Sequence, residues 1–180
     1  MSAPEPAGLL DRYVRDVPDY PKPGVLFKDI SPLLGDPAAF RAAIDGLVGD
    51  QLEGSVDKVV GIEARGFILA APVAYRLGAG FVPVRKAGKL PAATFEQSYA
   101  LEYGDAVLQV HQDAFTPGDR VLIVDDVLAT GGTAAATVEL VRRAGGVVIG
   151  LSFLIELTFL SGRAALADLG KLGTHALITV

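Results

Sequence analysis

The chain has 180 residues, about half of them hydrophobic and a fifth charged, which suits one α/β domain over residues 1–180 and leaves no long stretch polar enough for disorder. A net charge of −5 argues against general attraction to nucleic acid or an anionic membrane surface, and the absence of cysteine excludes thiol catalysis, a disulfide framework and a thiolate metal site. No basic start followed by an apolar run lies near Met1, and the longest apolar stretch, Gly146 to Ile155, is about half a bilayer span, so a soluble, cytoplasmic protein is expected.

Asp19-Tyr20-Pro21-Lys22-Pro23-Gly24 concentrates turn residues and reads as a looped arm leading into the domain. Asp36 is a candidate N-cap with Pro37 at the first helical position, and Phe40, Ile44, Leu47 and Val48 recur at helical spacing, so a helix is predicted over Ala38 to Leu52. Lys58 to Ile62 is a short apolar strand, followed by a loop at Arg65-Gly66 and a helical run from Phe67 to Leu77 that stops at Gly78. Gly80 to Val84 is the next strand. Thr94 to His111 breaks the rhythm, because Tyr99, Leu101, Tyr103, Val107 and Val110 nearly alternate around Gly104-Asp105; this is an antiparallel hairpin or flap over residues 94–111. Val121 to Val124 is a further brief strand. After Thr133 a helix through Val138, Val141 and Arg142 ends at Gly145-Gly146, and Val147 to Leu154 returns as a strand.

Short, wholly apolar strands alternating with helices imply a three-layer α/β domain with a mainly parallel central sheet and helices on both faces. Ligands of such sheets bind beyond the carboxyl ends of the strands, so the loops at Glu63 to Gly66, Arg85 to Lys89 and Asp125 to Thr133 should converge.

The segment from Val121 to Thr133 carries the most chemistry. Asp125 and Asp126 follow four buried-type residues at a strand end, and Thr130-Gly131-Gly132-Thr133 then opens a helix whose unpaired N–H groups and positive dipole end face outward. Glycines let backbone approach an anion closely, and Thr130 and Thr133 add hydroxyl donors; the loop is built to cradle a monophosphate. The carboxylates cannot bind the phosphate themselves and must serve a cation, a sugar diol or a Mg²⁺-bound water. Neither a Gly-x-Gly-x-x-Gly string nor a Walker lysine is present, which removes support for dinucleotide and P-loop readings. Arg85, Lys86 and Lys89 place three cations within five residues beside a strand end of an acidic protein.

The Val121 to Thr133 string resembles the phosphoribosyl pyrophosphate signature of the type I phosphoribosyltransferases. Gly24 to Ile30, Gly61 to Phe67, Val84 to Pro91, Tyr99 to Gly104 and Glu156 to Thr158 look like blocks of the adenine phosphoribosyltransferase family, in that family's order. The similarity runs from about Pro21 to Arg163.

That resemblance implies transfer of the 5-phosphoribosyl group from phosphoribosyl pyrophosphate to adenine, giving AMP and pyrophosphate, with Mg²⁺ as cofactor. It implies that Asp125, Asp126, Ala129, Thr130, Gly131, Gly132 and Thr133 hold the ribose and 5′-phosphate, with Asp125 and Asp126 near the metal or its water. Glu63, Ala64 and Arg65 match the pyrophosphate loop, with a cis peptide implied at Glu63–Ala64, and Arg85, Lys86, Lys89 and Tyr103 would join them. Residues 1–35 match an arm and base-binding hood in which Leu26, Phe27 and Lys28 would hold the base with Leu157; Lys28 stands where many relatives have Arg. Glu102 and Tyr103 sit at the tip of the flexible flap; Glu102 would handle the proton on the purine and, with Arg65, be catalytic. A homodimer is also implied. Two other functions fit such a chain: transfer to another nucleobase such as xanthine, or non-catalytic sensing of phosphoribosyl pyrophosphate by a regulator.

Overall fold

The structure, a computed structural model, describes residues 10–100, 105–167, 169–170 and 172–180. The chain forms two compact units that meet in sequence between Gly46 and Leu47.

In the N-terminal unit a short 3₁₀ turn at Asp11–Tyr13 precedes β1 (Arg15–Pro18), which pairs antiparallel with β2 (Leu26–Asp29). The turn-rich arm between them is looped as expected: the Tyr20–Pro21 peptide is cis, and the Asp19 carboxylate accepts a 2.7 Å hydrogen bond from the Gly24 N–H. Arg15 and Asp29, opposite each other in register, close the ribbon with an ion pair. The one-turn α1 (Ser31–Gly35) leads into α2 (Pro37–Val48). Asp36 caps α2 by accepting from the N–H groups of Ala38 and Ala39 at 2.9 and 2.8 Å, which satisfies donors that have no helical partner. The helix stops at Val48 instead of Leu52, because Gly49 takes a left-handed φ of 57°.

The larger unit carries a seven-stranded sheet in the order β5-β6-β4-β3-β7-β8-β9. Its strands are β3 (Lys58–Ile62), β4 (Gly80–Lys86), β5 (Thr94–Ala100), β6 (Asp105–His111), β7 (Arg120–Leu128), β8 (Val147–Glu156) and β9 (Gly173–Thr179). The helices are α3 (Arg65–Leu77), α4 (Gly132–Arg143) and the short α5 (Gly162–Ala167). β4, β3, β7, β8 and β9 run parallel, while the hairpin β5–β6 is antiparallel and joins the sheet through Arg85 opposite Gln109 and Lys86 opposite Leu108.

Alternation along the strands sends neighbouring residues to opposite faces. Val60, Ile62, Val82, Val84, Val121 and Ile123 share one buried cluster with Ala134, Val138, Leu140 and Val141 of α4. On the other face a Cβ on Gly61 would stand 2.8 Å from that of Ala70 in α3, and Phe67 of α3 meets Phe81 of β4 edge-on at 5.8 Å. Gly61 therefore lets α3 lie close to the sheet, and the three-layer arrangement follows. Gly78, at φ 64°, ends α3 where the sequence placed the stop.

Other sequence boundaries needed correction too: α3 starts at Arg65, which the sequence assigned to a loop, and β4 continues past Val84 to Lys86. β7 runs on past Val124 to Leu128, so Asp125 and Asp126 lie within a strand instead of after one, and β8 extends to Glu156. The reason is one-sided pairing: β3 accompanies β7 only as far as Gly61 opposite Val124, whereas β8 pairs with it out to Glu156 opposite Leu128. Polar residues are tolerated in that stretch because the β3 side has fallen away. β9 had no clear sequence signal.

Candidate active site

The end of β3 leaves a notch beside β7, and the site is built there. Arg65, at the start of α3, reaches across it and its Nε lies 2.7 Å from Asp126 Oδ2. Asp125 Oδ1 accepts from the Asp126 N–H at 3.0 Å and is backed by Gly66, where a Cβ would come within 2.5 Å of the same oxygen. Burial raises the Asp125 carboxyl well above the ordinary carboxylate range, and the neighbouring Asp126 charge adds to that rise. Burial also raises Asp126, but Arg65 opposes the rise. A carboxyl pair held at such cost is poised to receive donors, such as sugar hydroxyls, or a cation.

Beyond Leu128 the chain turns through Ala129–Gly131 into α4. Gly131, the residue before the helix, has φ 83°, a conformation that favours glycine. No side chain caps the helix and no acidic residue stands in its first turn, so its leading N–H groups are open to an anion. The Thr133 carbonyl is occupied by the Thr137 hydroxyl at 2.8 Å. Asp125, Ala129, Thr130, Gly131 and Thr133 line one pocket at that helix start. The loop is buttressed from behind: a Cβ on Gly131 would overlap the Gly162 carbonyl, and one on Gly162 would overlap that of Ala129.

β4 delivers the third loop. The Glu63–Ala64 peptide is cis, as the family resemblance implied. Glu63 turns its carboxylate to β4, accepting from Arg85 Nε at 3.3 Å and from the Lys86 N–H at 3.1 Å. Arg85 also donates to the Lys89 carbonyl at 3.0 Å, so it braces the turn that displays the exposed Lys86 and Lys89. The three loops that the sequence led us to expect together are thus joined by Arg65–Asp126, Gly66–Asp125 and Glu63–Arg85.

The phosphoribosyl transferase domain family matches residues 35–162. Adenine phosphoribosyltransferase of Thermobifida fusca is 68% identical over 160 residues, covering 89% of this chain and 91% of that one. The chain belongs to the adenine phosphoribosyltransferase family. A crystal structure of a family member from Rhodothermus marinus superposes with a TM-score of 0.91 at 53% identity, covering 97% of this chain and 98% of that one. The Saccharomyces cerevisiae member, complexed with an imino-altritol bisphosphate and adenine, gives a TM-score of 0.87 at 38% identity over 96% of this chain and 98% of that one.

For an adenine phosphoribosyltransferase the remaining expected positions are distributed as follows. Leu26, Phe27 and Lys28 lie on β2 of the N-terminal unit; Leu26 is half exposed, Phe27 packs edge-on against Tyr20 at 5.1 Å, and Lys28 pairs with Asp16 at 2.7 Å. Leu157 follows β8 and donates its N–H to the Leu128 carbonyl at 2.9 Å, immediately before the Ala129–Gly131 turn. Glu102 and Tyr103 lie outside the described residues.

The sequence did not reveal the support behind the loop. Glu156, buried at the end of β8, receives both Nε and Nη2 of Arg163, whose Nη1 donates to the Thr174 carbonyl of β9. A Glu closing a run of buried-type residues needs a cation partner, and that was the available signal.

Among the described residues no group of three or more His, Cys, Asp or Glu is placed to hold a metal ion. The Asp125–Asp126 pair nevertheless fits Mg²⁺, which is commonly bound by one or two carboxylates while water and substrate phosphates complete its shell.

Proposed function

We propose that this protein performs purine salvage, transferring the 5-phosphoribosyl group from phosphoribosyl pyrophosphate to adenine and releasing AMP and pyrophosphate. The observation that carries it is the uncapped start of α4 beside the Asp125–Asp126 pair, in a chain of this family. A base nitrogen forms a bond to the anomeric carbon as the bond from that carbon to pyrophosphate breaks, through an oxocarbenium-like transition state. The protein's contribution is chiefly orientation and charge placement.

In this reading the N–H groups and hydroxyls of Thr130 to Thr133, with Ala129, fix the 5′-phosphate, and Asp125 and Asp126 accept from the ribose hydroxyls. Arg65, the Glu63–Ala64 backbone and the Lys86–Lys89 turn receive the departing pyrophosphate, with Arg85 holding that turn in shape. Mg²⁺, when bound, would neutralise phosphate charge near the carboxylate pair. The family resemblance alone gives Leu26, Phe27 and Lys28, and likewise Leu157, a base-binding role, has Glu102 take or give the purine proton, and adds Tyr103 to the pyrophosphate group.

A homodimer is part of the proposal. It is supported by exposed apolar side chains on one side of the larger unit, with Ile68 46%, Tyr75 87% and Phe81 38% exposed. No helix among the described residues is long and apolar enough to cross a membrane, and we place the enzyme in the cytoplasm, where phosphorylated sugars are retained.

The test is nucleotide formation from phosphoribosyl pyrophosphate and Mg²⁺ with adenine, guanine, hypoxanthine, xanthine and orotate in parallel. Turnover with adenine is expected. Its absence, with turnover on another base or with sugar binding alone, overturns the assignment in favour of another transferase or a sensor.

A further inference from the structure

Gln109 is a polar residue between Leu108 and Val110 in β6, and it is only 7% exposed. Both ends of its amide are used. The nitrogen donates to the Glu96 carboxylate on β5, and the oxygen accepts from the Gly88 N–H at 2.9 Å. Gly88 sits in the turn that carries Lys86 and Lys89, at φ 76°. One residue past the end of β4 the acceptor is still main chain, with the Ala87 N–H donated to the Val107 carbonyl at 3.1 Å. The Gln109 side chain therefore replaces main chain as the acceptor where β4 leaves the ladder. The Glu96 end is itself fixed to the body, because Arg143 at the end of α4 donates to the Glu96 carbonyl at 3.2 Å and lies over the Phe95 ring at 5.3 Å.

We propose that Gln109 is a positioning residue for pyrophosphate: its amide locks the Lys86–Lys89 turn to the base of the β5–β6 hairpin, so that the cations are presented in one fixed arrangement. Gln109 does not reach the ligand. Its effect passes through Gly88, and the inference rests on the reading of that turn as pyrophosphate-holding.

Replacing Gln109 by Leu removes both hydrogen bonds at similar volume. The dissociation constant for Mg²⁺-pyrophosphate and the KM for phosphoribosyl pyrophosphate should each rise about tenfold, while the KM for adenine stays within about twofold. Q109E keeps the acceptor for Gly88 but sets two carboxylates against each other and should weaken pyrophosphate similarly. Adding E96Q supplies a donor again, and the Q109E/E96Q pair should bind pyrophosphate within about threefold of the parent. Recovery in the pair decides the matter even if Q109L does not fold. Equal changes in both KM values, unchanged pyrophosphate binding in a folded Q109L, or a pair no better than Q109E each overturn the inference. K89A, run alongside, separates the two levels: if it weakens pyrophosphate and Q109L does not, the positioning role alone fails, whereas an unchanged K89A removes the basic turn from pyrophosphate binding and the inference with it.

Discussion

Gly131 and Gly162 meet with no room for a side-chain carbon on either, the first directed at the carbonyl of the second and the second at the carbonyl of Ala129. The Ala129–Gly131 turn is thus pressed against the start of α5, and its shape is set by that contact as well as by its own dihedrals.

Gly131→Ala adds a steric overlap to the cost of a left-handed alanine, about 1–2 kcal/mol. The loop should shift, and the dissociation constant for phosphoribosyl pyrophosphate should rise at least about tenfold by calorimetry. A folded variant with parental affinity would separate the loop from phosphate binding.

Asp125 supplies the opposite kind of prediction. Its carboxyl is raised above the unfolded value near 3.9 by burial and by Asp126, so the folded state binds its proton more tightly. Stability from this group is then greatest at low pH and is lost as pH rises from about 4 through the raised folded value. Asp125→Asn should increase the ligand-free Tm at pH 7 by a few degrees, on the order of 2–4 °C, and less near pH 4. Turnover should collapse in the same variant. A lower Tm at pH 7 would contradict the burial argument.

The buried Glu156 carboxylate depends on Arg163, whose side chain is 49% exposed. Arg163→Met leaves that charge without its cation and should cost about 2 kcal/mol, a value reduced for the arginine's exposure. Glu156→Gln/Arg163→Met should recover part of the loss, as read by urea denaturation. If the double variant is no more stable than Arg163→Met, the charge is not the cause.

Acid sensitivity should come partly from two half-buried carboxylates. Hydrogen bonds from Arg120 hold Asp57 well below its usual range, while Ser31 and then Arg15 hold Asp29 at about 2. Their contribution is complete above the unfolded value of about 3.9 and disappears as pH falls toward the folded values. The Tm deficit of Asp57→Asn or Asp29→Asn against the parent should be present at pH 6 and shrink below about pH 4. A deficit that is constant with pH would point to lost packing instead.

Glu102, assigned from the resemblance alone, offers a kinetic test. Glu102→Gln should lower kcat far more than it weakens phosphoribosyl pyrophosphate binding, by about 10²–10⁴-fold if proton transfer is the lost step. An unchanged kcat would take Glu102 out of the mechanism.

The turn into α4 was legible because main-chain requirements write themselves into sequence: Thr130-Gly131-Gly132-Thr133 after an apolar strand reads as a glycine turn that opens a helix. The parallel core was legible from Val59, Val60, Leu122 and Ile123 for a similar reason, since strands buried on both faces must be continuously apolar. What could not be read were relationships between distant segments. That Glu63 would brace Arg85, that Gly162 would back Gly131, and that Gln109 would hold Gly88 depend on where strands end relative to one another. β9, whose only apolar run is the three residues Ala176 to Ile178, shows strand character only once β8 is beside it.

The one-sided ending of β3 also bears on re-engineering. In the proposed reading the 5′-phosphate is offered backbone donors in a gap made by strand length, so that anchor would carry no information about the nucleobase. Variants selected for a different acceptor can be sought elsewhere in the chain while Gly131 and its neighbours are left untouched, and their hold on the sugar should survive the exchange.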